Sequence, residues 1–403
     1  MTALADNPER RLPLWEFVAL MAMLSATIAF SIDAMLPALP QIGQDLSPDA
    51  PNAVQFVIVA FVMGMGAGTF FAGPLSDALG RKPVMLGGAA LYCSGAILSI
   101  YAPNLWFLVA ARLLQGLGAA GPRVVAQAMI RDLYMGRGMA RVSSFVMMTF
   151  TLAPAVAPLI GAWISAGFGW RGIFWSFVVF SVISGLWLAL RQAETLPVSA
   201  RRPLRFATLL AAAREVGGHR NVRRAVVVQT LVFGMLFSAI LSVQPIYDQT
   251  FGRGDTFPLW FFLVAILAGA ASFLNATLVG RLGMLWLLRR VLLAHLLLSV
   301  ILLKVKVFVD LPDDMAFGLF VLWQVGTFAL AGLTVGNLNA IAMTPMGHIA
   351  GMAASVISAV STVFAIMLAV PVGLAFDGTQ MPLITGVALY SGLALWRSMG
   401  LRE

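Results

Sequence analysis

Cysteine is nearly absent from this 403-residue chain: Cys93 stands alone, inside an apolar stretch. One thiol excludes a disulfide framework or a cysteine metal site within a single chain. Charge is scarce too. Only 11% of residues are charged and 3 are histidine, against 60% hydrophobic. That balance excludes a soluble globular domain. No Walker A, HExxH, GxSxG or Rossmann pattern stands in the context it requires, so neither ATP-driven pumping within this chain nor membrane hydrolysis is expected. No enzyme activity, cofactor or metal is predicted. A removable leader is not expected either. The apolar stretch after Arg10 and Arg11, Leu14 to Leu36, is too long and lacks a small-residue cleavage site.

What the chain has instead is apolar runs of membrane-spanning length, with mean hydropathy +0.91. Twelve spans are predicted, at 14–37, 52–76, 83–102, 105–130, 142–166, 171–190, 224–247, 258–280, 285–308, 315–343, 350–376 and 381–398. The expected fold is an all-α polytopic membrane protein, with twelve transmembrane helices in two six-helix pseudo-symmetric bundles. The bundles are residues 1–191 and 223–403, joined by a polar, basic linker at 192–222 with a surface helix around Phe206 to Val216. The formal net charge of +9 is unevenly placed. One set of loops holds Arg10, Arg11, Arg81, Lys82, Arg131, Arg137, Arg141, Arg281, Arg289, Arg290 and the linker arginines, Arg205 among them. The other holds Asp45, Asp49, Asp248, Asp255, Asp310, Asp313, Asp314 and Asp377. Basic loops face the cytoplasm, so both termini are expected there, in a bacterial inner membrane. Topology accounts for the arginines, and no nucleic-acid partner is expected. The expected partners are a small molecule, protons and the bilayer, with the chain as a monomer.

The loop between the second and third spans is Gly73-Pro-Leu-Ser-Asp77-Ala-Leu-Gly80-Arg81-Lys82-Pro83. Its G-x-L-x-D-x-x-G-R-K pattern resembles the signature of the major facilitator superfamily. Phe71 to Gly80 is echoed by Phe273 to Gly283, where the acid is missing. Weak internal repeats of this kind suit an alternating-access transporter. The Asp77/Arg81 pair is expected to form a cytoplasmic latch, with Gly80 supplying the turn.

Asp33 is the only carboxylate well inside a span. Intramembrane acids are costly, and such a residue is a functional candidate by default. Burial disfavours the charged form of a carboxyl, so an acid there can take up and release a proton. Arg112 and Arg123, eleven residues apart on the fourth span, are expected on one stripe roughly 16 Å apart. Arg112 is expected to hold Asp33 or a substrate group; capping of backbone groups is the alternative. Pro154, Pro158 and Gly161 give the fifth span a bend and a small-residue face, either a hinge or simple packing. Gln115, Met148, Gln244, Tyr247 and Asn337 complete the expected substrate-binding set. His295 lies mid-span and reads as a packed residue or a proton relay.

Along most of the chain the sequence also resembles the Bcr/CflA-type drug:proton antiporters. The likeness lies in Asp33 to Pro40, Gly73 to Pro83, Arg112 to Gly118, Ala128 to Tyr134, Ala153 to Gly161, Trp170 to Phe174, Gly332 to Asn339 and Pro345 to Ala353. It implies proton-driven export of small, often amphipathic compounds. It also implies roles for Asp33 in proton coupling, Arg112 beside it, and Ala153 to Gly161 as the antiporter motif. Some such exporters carry a second acid two turns before Asp33, where this chain has Ser25, so neutral or anionic substrates are favoured. Two other readings stay open: a proton symporter importing a small anionic or neutral nutrient, and a non-transporting receptor or scaffold.

Overall fold

The computed structural model describes residues 12–204 and 206–402. Arg10, Arg11 and Arg205 of the expected basic loops lie outside these residues, as does the side chain of Arg123. All regular structure among the described residues is helical. Thirteen α-helices follow in order: α1 Leu14–Asp33, α2 Leu39–Leu46, α3 Phe56–Leu79, α4 Arg81–Ile100, α5 Leu105–Leu133, α6 Gly136–Arg191, α7 Phe206–Gly218, α8 Arg220–Pro245, α9 Phe257–Leu282, α10 Met284–Phe308, α11 Asp313–Met343, α12 Ala350–Leu374 and α13 Met381–Ser398. Helix α6 covers two expected spans. It divides at Gly169, whose φ of +66° suits a residue without Cβ. With that division there are twelve helical segments of 18 residues or more among the described residues.

Eight helical runs are long and apolar enough to cross a membrane, two of them covering a pair of expected spans each. Helices α5 and α13 are not among them. Arg112 and Arg123 in α5, and Arg397 with the serines of α13, make these two helices less apolar. In lipid a helix satisfies every backbone group internally, which is why this composition folds as helices. The chain is a multi-pass, all-α membrane protein. Helix α7 matches the surface helix expected from the linker. Leu209, Ala212 and Val216 are buried, at helical spacing. Not expected was the continuation beyond the first span, where a 3₁₀ turn at Leu36–Ala38 runs into α2.

The chain forms two compact units. The first holds residues 1–38 and 60–211, and the second holds 39–59 and 212–403. Segment 39–59 thus packs with the C-terminal helices, although both its neighbours in sequence belong to the first unit. Within the second unit, Asn52 Nδ2 donates to the carbonyls of Leu374 (3.1 Å) and Phe376 (2.9 Å) at the end of α12.

Within the first unit, glycines set α5 between its neighbours. A Cβ on Gly116 would lie 2.0 Å from the Phe61 carbonyl of α3, and one on Gly118 2.4 Å from the Tyr92 nitrogen of α4. Small residues allow this approach, and in membranes such packing carries helix association.

Candidate functional site

Helix α5 presents Arg112, which is fully buried. The glycine contacts hold its backbone against α3 and α4, so the guanidinium has a fixed origin. Its Nη1 donates to Gln115 Oε1 at 2.7 Å, and its Nη2 donates to the Ser31 carbonyl at 2.9 Å. Its Cζ lies 4.3 Å from the Phe61 ring centroid, a cation–π distance. Ser31 Oγ pairs with the Tyr92 hydroxyl at 2.5 Å. Asp33, 5% exposed, is the last residue of α1, two residues beyond Ser31. Arg112 therefore grips the backbone of the turn that carries Asp33. No ion pair joins the two side chains among the described residues.

Helix α6 also touches this turn, and the centroids of its Phe174 and Phe177 rings lie 5.8 and 5.9 Å from the Arg112 guanidinium carbon. It runs through Pro154 and Pro158, and its one non-helical residue is Gly169. A Cβ on Gly161 would sit 2.0 Å from the carbonyl of Ala34. The proline-bearing helix and the residue after Asp33 are therefore in backbone contact. Met148, on the same helix, is 54% exposed and stands apart from the Arg112 cluster.

The loop motif builds a second cluster. Arg81 is buried and donates to Ser76 Oγ at 2.7 Å, to Asp132 Oδ2 at 3.0 Å and to Asp77 Oδ1. Two carboxylates on one guanidinium make charge-assisted bonds, the stronger kind. Glu194, from the stretch after α6, accepts from the backbone nitrogens of Arg81 (2.9 Å) and Lys82 (3.0 Å). It thereby caps the first turn of α4, where a carboxylate is favoured by the helix dipole. Gly80, at φ +108°, leaves room for it: a Cβ there would meet Glu194 Oε2 at 2.6 Å. Thr195 Oγ1 donates to Asp132 Oδ2 at 3.0 Å. The expected latch pair is thus joined by Asp132 and Glu194. The signal for Glu194 was its sign, an acid in a basic linker. Tyr92 was missed because a lone tyrosine in an apolar span reads as packing.

The second unit places its expected residues in separate environments. Tyr247 is fully buried and its hydroxyl donates to Gln324 Oε1 at 2.7 Å. Asn337 Nδ2 donates to Asn275 Oδ1 at 2.9 Å. Gln324 and Asn337 are thirteen residues apart on α11, about 20 Å along the axis. Gln244 lines a cavity of about 310 Å³ with Gln44, Gln55 and Asp248. His295 Nε2 pairs with Thr327 Oγ1 at 3.1 Å, and its ring stacks on Trp323.

Comparison with known proteins places this chain in a family. The family model of the Major Facilitator Superfamily matches residues 18–371. The chain is 27% identical to an uncharacterized MFS-type transporter, YdgK, of Bacillus subtilis, over 84% of this chain and 83% of that one. It is 29% identical to a bicyclomycin resistance protein homolog of Haemophilus influenzae, over 66% of this chain and 67% of that one. Among solved structures, a D-xylose-proton symporter aligns with a TM-score of 0.73 at 16% identity, over 96% of this chain and 97% of that one. That likeness concerns the fold alone. With the loop motif, the helical architecture and a match over most of its length, the chain belongs to the Major Facilitator Superfamily.

Proposed function

We propose that this protein is a proton-coupled exporter of small amphipathic molecules, working by alternating access across a bacterial inner membrane. One observation carries the reading. The buried acid Asp33 ends a turn that Arg112 holds at Ser31 and the proline-bearing helix α6 touches at Ala34, through Gly161. A proton on or off Asp33 changes the charge beside that backbone contact, so protonation can bias the position of α6. Export as the direction is supported by the resistance named for the Haemophilus influenzae relative.

In this reading Asp33 takes a proton as substrate leaves on the outside, and substrate binding favours its loss on the inside. Arg112 and Gln115 position the Asp33 turn and offer donors to a substrate. Arg123, Met148, Gln244, Tyr247 and Asn337 are proposed as further substrate contacts. Asp77, Gly80 and Arg81 form a cytoplasmic latch, and Pro154, Pro158 and Gly161 form the moving face. Both termini are cytoplasmic and the working unit is a monomer.

The test is growth of an efflux-deficient bacterium on a broad compound panel, comparing the wild type with Asp33→Asn at equal membrane level. Protection by the wild type and its loss in the variant is the expected result. Protection that survives the substitution would remove Asp33 as the proton carrier. No protection against any compound would turn the assignment toward uptake.

A further inference from the structure

Among the described residues, one end of the second unit gathers arginines with almost no acid beside them. The C-terminal stretch is tied down there by its own carbonyls. Arg289 Nη2, on α10, donates to the carbonyls of Ser398 (3.0 Å) and Leu401 (3.3 Å). Arg224, on α8, donates to the Gly400 carbonyl. Asn221 and Arg402 exchange two bonds, side-chain Nδ2 to carbonyl at 2.9 Å and backbone nitrogen to Oδ1 at 3.0 Å. These bonds satisfy orphan carbonyls at the end of α13, and none of them neutralises charge. They also bring Arg397 and Arg402 beside the start of α8. Arg220, Arg223, Arg397 and Arg402 are close enough to Arg224 to repel it electrostatically. All four are exposed. No ion pair among the described residues involves any of these arginines. The acids of this unit lie mostly at the opposite helix ends, and Glu215 is paired with His348.

Depth is marked by two tryptophans. Trp286 is 47% exposed and Trp396 60% exposed, with Arg290 and Arg397 over their rings at 5.5 and 4.6 Å. Exposed tryptophans at helix ends sit at headgroup level in a bilayer. Left alone, clustered like charges repel one another. An anion at headgroup level would offset that repulsion, and basic clusters beside membrane spans attract anionic lipids.

We infer that Arg220, Arg223, Arg397 and Arg402 form a binding site for the phosphate of an anionic phospholipid, seated between the ends of α8 and α13. The site is independent of the transport direction and of Asp33; it requires only that the protein is in a membrane. The lipid would act as a counter-ion that fastens the C-terminal stretch to α8.

The full-length protein in neutral detergent would be titrated with short-chain phosphatidylglycerol, with phosphatidylcholine of equal chain length, and with inorganic phosphate. Binding and melting temperature would be followed in each case. Phosphatidylglycerol is expected to bind and raise the melting temperature, while the other two have little effect. Each arginine replaced by glutamine is expected to weaken phosphatidylglycerol binding roughly fivefold. The four-fold arginine-to-lysine variant keeps the charge and is expected to retain most of it, which separates lost binding from misfolding. Equal binding of phosphatidylcholine, an equal shift with inorganic phosphate, or full phosphatidylglycerol binding by the glutamine variant would each overturn the assignment.

Discussion

Gly161 and Glu194 show how single atoms position the two clusters of the first unit. At Gly161 a methyl group would meet a carbonyl oxygen of the backbone rather than a movable side chain. Gly161→Ala is expected to destabilise by about 1–3 kcal/mol, the usual cost of overpacking, and to displace the turn that carries Asp33. Export should fall accordingly. Gly167→Ala, on the same helix with nothing within 4 Å of the added carbon, is the control. Equal activity of the two variants would separate α6 packing from transport. At Glu194 the two carboxylate oxygens accept from two successive backbone nitrogens. Glu194→Gln offers one acceptor in place of two and turns an amide donor toward a donor. It should cost about 0.5–2 kcal/mol, as a lost cap does. Thermal unfolding would read the loss, with faster trypsin cleavage at Arg201 and Arg202. An unchanged melting curve and cleavage rate would relegate Glu194 to a surface acid.

At the scale of helices, most of the fold was legible in the sequence. Apolar runs of span length, interrupted by glycine and charge, mark the long helices to within a few residues, because lipid enforces helix wherever the chain is apolar. The exceptions have physical causes. Helix α6 begins at Gly136, six residues before its predicted start, since Arg137 and Arg141 do not stop a helix even where they end an apolar run. Helix α2 follows Pro37 and carries Pro40 as its second residue, without the apolar length that betrays a span. The candidate sites were legible as residue types but not as pairings. Arg112 was picked out for its cost in an apolar span. That its bond goes to a backbone carbonyl, and that Gly116 and Gly118 seat its helix, depends on helix-to-helix approach that no local pattern encodes. Asp77 and Arg81 were legible from spacing, and Asp132 and Glu194 were not, being 51 and 113 residues from Arg81.

For the whole molecule, the division into units crosses the chain more than once. Residues 39–59 pack with 212–403, while 1–38 and 60–211 make up the other unit. Cutting the linker once leaves segment 39–59 lodged in the second unit. Co-expressed pieces ending at 203 and beginning at 204 are therefore expected to copurify, held by Asn52 at the end of α12. Asn52→Ala with Gly373→Val should weaken that hold, because the valine would press on Gln55 Oε1, 2.0 Å from the position of an added Cβ. Pieces that elute separately without the substitutions would refute the arrangement.

The same segment also sets an order in time. Asn52 is synthesised 322 residues before its acceptor Leu374. At about 5–20 residues per second, the ribosome needs roughly 15–60 s to make up that difference. During that interval the helices on either side of the segment can insert and pack with one another. The Asn52 side chain itself waits for its two acceptors at the end of α12. The last long helices to be made thus complete a piece of structure begun near the start of translation.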